Sequence, residues 1–340
     1  MAKNFADIYR GVQGIFTFRS MLDYIDKQPY IPQYFAKWLN WNTEGSYLNS
    51  AFIELSEGTL SLIPEAPRGA KGDSTTRNIR GVFDVQIPHY PQTDELLAES
   101  IRGVRAEGSE LEQAFEVERN KILDKQHKRN LIRWEYSKGA AITGKLLEMD
   151  RDGNFFVRYN WYDKFGQTQH EVEFDLNTAS TPVVQKLIEC KEIAEDELGA
   201  FDANGYVLIC GKAFFSKLTQ HPKMIEAWKR WQDGAFLRAD NREGFPIAND
   251  IVAVSYSRGK IDGRPIIADD EAYLCPNADD MYQVRHAPGI ATATLGTLGE
   301  PEYWSTKLLD HDAGVELKAT TDVLSYVQRP SAIIKLKLKP

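Results

Sequence analysis

Cysteine is scarce in this chain, apolar runs are short, and the histidines keep no metal-binding spacing. Each shortage closes off a class of protein. The 3 cysteines, Cys190, Cys210 and Cys275, lie far apart and form no CxxC pair. They read as small buried hydrophobes in a protein without a disulfide framework. With no stretch of about 18 apolar residues there is no candidate membrane helix. The opening residues, Met1 to Gly14, carry charges where a signal peptide would need an apolar core, which points to the cytosol. The 6 histidines fall in no HxH, HxxxH or HExxH pattern, so a metal site would have to gather ligands from unrelated segments.

Catalytic signatures are missing too. There is no GxSxG elbow, no Cys/His signature and no Rossmann glycine fingerprint. Gly139 to Leu146 imitates a phosphate loop, GxxxxGK, but Leu146 stands where Ser or Thr should hold Mg²⁺. A helical pattern precedes the motif and an apolar strand pattern follows, the reverse of the order required. Asp150, Asp152 and Asn154 open like a calcium loop, yet Phe155 replaces its glycine and Trp161 its closing glutamate, so a hairpin turn at Asp152-Gly153 explains them better. Asp269, Asp270 and Glu271, and Asp279 with Asp280, read as solvated loop acids. No catalytic residue, cofactor site or metal site is assigned.

What is present is a chain of 340 residues with 42% hydrophobic and 26% charged residues, too apolar for a disordered protein and long enough for about two domains. Its net charge of −8, with acids and bases interspersed, argues against tight nucleic-acid binding. Residues 1–50 are rich in aromatics, among them Tyr34, Phe35, Trp38 and Trp41, but weakly periodic apart from short helices near 20–27 and 32–40. Such a segment must lie along something else, either the rest of this chain or a neighbouring copy. Residues 51–63 and 82–90 alternate as strands. Between them 64–81 holds two prolines, three glycines and the cations Arg68, Lys71, Arg77 and Arg80, a long and locally basic loop in an acidic protein. Long loops in compact domains are usually functional.

Residues 93–138 form the most helical stretch. Leu97, Ile101 and Val104 start it, and Ser109 to Glu112 fits a capping box for a helix of about 28 residues ending near Trp134 and Gly139, roughly 42 Å long. Residues 140–175 read as a meander. After Thr181-Pro182 a helix runs to Gly199; then come a strand at 206–211, a helix at 212–231 and strands at 251–257, 271–276 and 315–320. The last strand places Ile334, Leu336 and Leu338 on one face and Lys335, Lys337 and Lys339 on the other, a charged face that would discourage edge pairing.

In this order the elements resemble the major capsid protein E family of tailed bacteriophages, lambda-type subunits with a Hong Kong 97-like fold. The aromatic arm and strand 51–55 are followed by Ile63-Pro64-Glu65-Ala66-Pro67-Arg68-Gly69. Val85 to Tyr90 then leads through Glu95-Leu96-Leu97 into the long helix. Glu271 to Pro276, His286-Ala287-Pro288-Gly289, Gly299 to Trp304, Val315-Glu316-Leu317, Val323 to Tyr326 and Arg329-Pro330 follow in the family's sequence.

The resemblance implies an α+β fold with an N-terminal arm (1–50), strands and extended loop (51–90, loop about 56–82), a peripheral domain with spine helix and meander (91–177), an axial domain (178–314) and C-terminal strands returning to the peripheral domain (315–340). It implies a major head protein that self-assembles through pentamers and hexamers into an icosahedral shell around dsDNA, located in the virion and assembled in the host cytoplasm. Implied partners are further copies, a scaffolding protein, a portal and a decoration protein, with weak, non-specific DNA contact and no membrane. Arg68, Lys71, Arg77 and Arg80 of the loop, and Tyr34, Phe35, Trp38 and Trp41 of the arm, become candidate contacts to neighbours. Two alternatives stand beside it: a bacterial encapsulin-like nanocompartment shell, and a metal-dependent hydrolase using His170, Glu171, His286 or Asp269 to Glu271.

Overall fold

A computed structural model describes residues 33–55, 81–99, 111–150, 152–199, 201–231, 244–248, 250–256, 260–261, 263–294 and 296–339. Helix α1 (Tyr34–Trp38) leads into β1 (Trp41–Gly45). β2 (Ser50–Leu55) and β3 (Gly81–Gln86) make an antiparallel ribbon, and β4 (His89–Leu97) precedes the long α2 (Leu111–Thr143). β5 (Lys145–Met149) and β6 (Phe155–Asn160) form a hairpin, followed by α3 (Trp161–Phe165) and β7 (Glu171–Phe174). Then come α4 (Val183–Leu198), β8 (Ala203–Cys210), α5 (Lys212–Gln220) and α6 (Pro222–Trp231). The chain continues through β9 (Phe245–Ala248), β10 (Ile251–Ser255), the short hairpin β11 (Lys260–Ile261) and β12 (Arg264–Pro265), and β13 (Glu271–Ala278). It closes with β14 (Tyr282–His286), β15 (Tyr303–Leu308), β16 (Gly314–Val327) and β17 (Ile334–Leu338).

Two larger sheets organise these elements. One has the order β7-β17-β13-β8-β10-β9; the other runs β1-β14-β16-β15, with β4 also paired to β16. β8 is buried on both faces, which explains its unbroken apolar run. Leu208 and Cys210 join α4 and α5 in one core, while Val207 and Ile209 turn to a second core with Tyr34, Phe35, Ile142, Tyr282 and Val327. That second core spans both sheets.

Several expectations change. Residues 93–97 are strand, because pairing with β16 from Gly314↔Leu97 to Asp322↔His89 overrides the local helical spacing. The capping box at Ser109 lies outside the described residues. α2 runs past Gly139 to Thr143 and stops at Gly144, whose φ of +83° is the left-handed conformation favoured after a helix. Gly139 is a packing residue: a Cβ there would overlap Ile266 and approach the Phe35 ring to 2.9 Å. The meander is a hairpin followed by a short helix, and β7 leaves for the six-stranded sheet. The helix at 212–231 is two helices, broken at His221-Pro222. β17 is interior and not an edge; Lys335 sits 2.9 Å from Glu271 and 3.7 Å from Glu171 on its two neighbours.

The strands also cross the expected domain boundaries. β7 and β17 join the 203–278 strands, whereas β14 and β15 pair with β16. The arm is corrected as well. Phe35 is fully buried, Tyr34 is buried and donates its hydroxyl to the Ser255 carbonyl at 2.6 Å, and Trp41 donates Nε1 to the Phe35 carbonyl at 3.2 Å. Trp38 is half-buried beside Gly244. The Tyr34 and Phe35 rings belong to the subunit's own core and have no free face for a neighbour.

Candidate assembly interface

α2 lies on the sheet through an unusual seam. Phe115, Arg119, Leu123, Gln126, Asn130 and Ser137 recur at spacings of three, four and seven, and all are buried. Gln126 Nε2 donates to Asp94 Oδ2 and to the Leu317 carbonyl, both at 3.1 Å; Gln92 Nε2 donates to Asn130 Oδ1; Ser137 and Ser325 hydroxyls meet at 3.0 Å. Trp134 Nε1 donates to Thr321 Oγ1 at 2.9 Å, and Arg133 stacks 3.6 Å from the Tyr90 ring while pairing with Glu148. A helix whose buried stripe is largely polar shows weak apolar periodicity. The recurrence of the polar residues themselves was the available signal.

Titratable groups in this region are held for packing. Burial lowers His286 to about 4, with the nearby Lys138 charge adding to the effect, and its Nδ1 lies 3.2 Å from the Asp322 carbonyl. Burial likewise lowers Lys138 to about 8, against the opposing charge of Glu135; its Nζ donates to Gln33 Oε1 at 2.6 Å. Burial raises the Asp322 carboxyl although His89 Nδ1 lies 2.5 Å from it.

Of the hydrolase candidates, Glu171 and Glu271 meet only across Lys335, which pairs with both, and the rest stand apart. His170 pairs with Glu197 at 3.0 Å, Glu271 holds Lys335 on the six-stranded sheet, and His286 is buried on β14 in the other sheet. Among the described residues no group of three or more His, Cys, Asp or Glu could hold a metal. The calcium-like run is a turn: Asp150 Oδ1 accepts the Asn154 and Asp152 backbone N–H groups at 2.8 and 3.0 Å, and the Asn154 bond heads the causes that lower its carboxyl.

Exposed apolar side chains are gathered elsewhere. The β2–β3 ribbon buries Ala51, Ile53 and Val85 against Trp161, Phe165, Leu324 and Tyr326. Its outer face leaves Phe52 at 58% and Val82 at 57% exposure, and Tyr47 and Leu48 are exposed just before it. The same face carries the exposed Asp84 and Gln86, so it is a mixed surface on which Phe52 and Val82 are the apolar candidates for contact with another protein. The loop between its strands, with Arg68, Lys71, Arg77 and Arg80, lies outside the described residues.

These features define a class first: a mixed α+β structural subunit that keeps its polar chemistry for packing and turns apolar surface outward. The chain belongs to the family described as Phage major capsid protein E, whose model matches residues 17–338. It is 25% identical over 306 residues to the major capsid protein of Pseudomonas phage KPP10, covering 85% of this chain and 87% of that protein. It is 23% identical over 323 residues to the major capsid protein of Salmonella phage Felix O1, covering 84% and 86%. The mature capsid of bacteriophage PhiM1 matches with a TM-score of 0.54 at 10% identity over 92% of this chain and 89% of that one. The capsid of Cyanophage P-SCSP1u matches at 0.50 with 11% identity over 92% and 90%. The fold is therefore the Hong Kong 97-like capsid fold, and the protein is a non-enzymatic component of the virion that self-assembles into the icosahedral shell of a tailed phage.

Proposed function

We propose that copies of this chain meet as pentamers and hexamers and close into a head around dsDNA, with the loop at about 56–82 lying over a neighbouring subunit. The observation that carries the loop assignment is the β2–β3 ribbon: its strands are held firmly on one face and expose Phe52 and Val82 on the other, at the base of that loop. Arg68, Lys71, Arg77 and Arg80 would pair with acidic surface of the next copy, in a chain whose net charge is −8. The half-buried edges of Trp38 and Trp41 would add contact area near the arm. A scaffolding protein, a portal and a decoration protein are the further partners of this reading, with assembly in the host cytoplasm. An acidic subunit suits a container that must release its DNA.

The test is expression of the full chain, with and without a scaffolding partner, followed by electron microscopy. Closed shells or tubes are expected. Chains that remain monomeric under every assembly condition overturn the reading. Deleting 65–80 is expected to leave a folded subunit that forms no closed shells; normal shells from that deletion overturn the loop assignment.

A further inference from the structure

Between α2, the β5–β6 hairpin and β12 lies a hollow of about 430 Å³. Its floor is apolar: Ile132 and Met149 are 53% and 49% exposed, with Leu147, Phe155 and Ile266 beside them. Its rim is cationic. Arg129 and Lys145 are exposed, and Arg264 rests 4.1 Å from the Phe155 ring. Among the described residues, none of these three has a carboxylate within ion-pair distance. Three such cations around an apolar floor, with Arg133 beside them held on Glu148, are out of character in a chain of net charge −8.

The opposite character occurs at the other end of the same helix. Val117 and Leu97 are exposed there, and so are Glu99 and Glu116, the latter 3.7 Å from the Arg119 guanidinium one turn on. Leu308 shares that end, since it pairs with Val315, which pairs with Leu96. Glu116 and Arg129 are on one rigid helix, about 20 Å apart along its axis at 1.5 Å per residue. Two different patches on one molecule, complementary in charge and both partly apolar, are what a head-to-tail contact needs, and such contacts build closed rings when the rotation allows.

We infer that the cationic hollow is an intersubunit socket, occupied in the shell by the acidic and apolar far end of a second copy of this chain: Leu97, Glu99, Glu116 and Val117. The inference rests on the shell-subunit reading and adds to it which surfaces meet. Leu97 and Val117 would cover Ile132 and Met149, and the two glutamates would face Arg129 and Lys145. The surrounding apolar contact lowers the local dielectric, so opposite charges attract less screened than on an open surface and like charges there are costly.

Charge exchange tests it. Chains carrying Arg129→Glu with Lys145→Glu, and chains carrying Glu99→Lys with Glu116→Lys, are each expected to lose shell yield by about tenfold or more, because like charges now face one another. The milder Arg129→Gln with Lys145→Gln is expected to weaken assembly in the same direction. Circular dichroism and melting temperature establish that each variant is folded. A chain carrying both reversals is expected to regain shells by sedimentation and electron microscopy. If the parent assembles and the hollow variants assemble equally well, the socket is overturned while the shell reading stands. If the hollow variants fail and the double reversal does not recover, the pairing with the far end is overturned. A parent chain that never assembles overturns both.

Discussion

Gly139 sits within a buried turn of α2, with Ile266 on one side and the Phe35 ring on the other. Alanine in a helix interior ordinarily stabilises by about 0.5–1 kcal/mol over glycine. Here its Cβ would overlap a neighbour, so Gly139→Ala is expected to cost about 1–3 kcal/mol and to lower the melting temperature by several degrees. A rise in the melting temperature would show that Ile266 yields freely. His286 supplies a second expectation. Its folded value is about 4 against an ordinary 6.5, so the unfolded chain binds the proton first as pH falls. Stability from this group is complete above about pH 6.5 and is lost as pH falls towards 4, by about 3 kcal/mol in all at 1.36 kcal/mol per unit. Lys138 faces the ring from α2, and the Asp322 carbonyl faces it from β16. Urea titrations at pH 7 and pH 4.5 should show the loss in the parent, and His286→Gln should flatten it.

At the scale of elements, α2 and its sheet are joined by hydrogen bonds where most helices use apolar packing. Gln126→Leu withdraws the side-chain donor from the buried Leu317 carbonyl and one of the partners of Asp94, which keeps Lys125, so it is expected to cost about 1–3 kcal/mol despite its similar volume. Lys125→Ala removes a 2.6 Å pair to the same Asp94 from a half-exposed side chain, and is expected to cost less than about 1 kcal/mol. Urea midpoints for the two variants check the order; equal losses would mean that the seam contributes no more than a surface ion pair. The same contrast explains what could be read in advance. β17 was legible because its apolar residues follow the strand period, and β8 because a short unbroken apolar run between Gly205 and Gly211 marks a strand buried on both faces. The spacing of Leu97, Ile101 and Val104 predicts helix for 93–97 because it is local, whereas the pairing with β16 that makes these residues strand involves partners more than 200 residues away.

At the scale of the molecule, the two sheets do not define two independent bodies. One core contains Val207 and Ile209 from the six-stranded sheet, Tyr282 and Val327 from the other, and Tyr34 and Phe35 from α1. Unassembled subunit is therefore expected to unfold in a single cooperative transition, with calorimetric and van't Hoff enthalpies in agreement. Two separated transitions would show that the shared core is weaker than either sheet. The residues of α1 act as a clasp between sheets, so Tyr34 and Phe35 serve the subunit itself, whereas the contacts proposed for neighbours are on the ribbon and around α2.

The sequence by itself determined the class. Scarce cysteine, absent catalytic spacing and a basic loop in an acidic chain excluded whole classes and left an interaction protein, and the resemblance of its ordered motifs to the capsid family supplied the rest, because both are read along the chain. Tertiary structure alone decided where Gly139, Tyr34 and Lys335 belong, which strands share a sheet, and that four cations converge on one apolar hollow. Those facts depend on pairs of residues far apart in the chain, and no local period carries the information about which distant partner a side chain will meet.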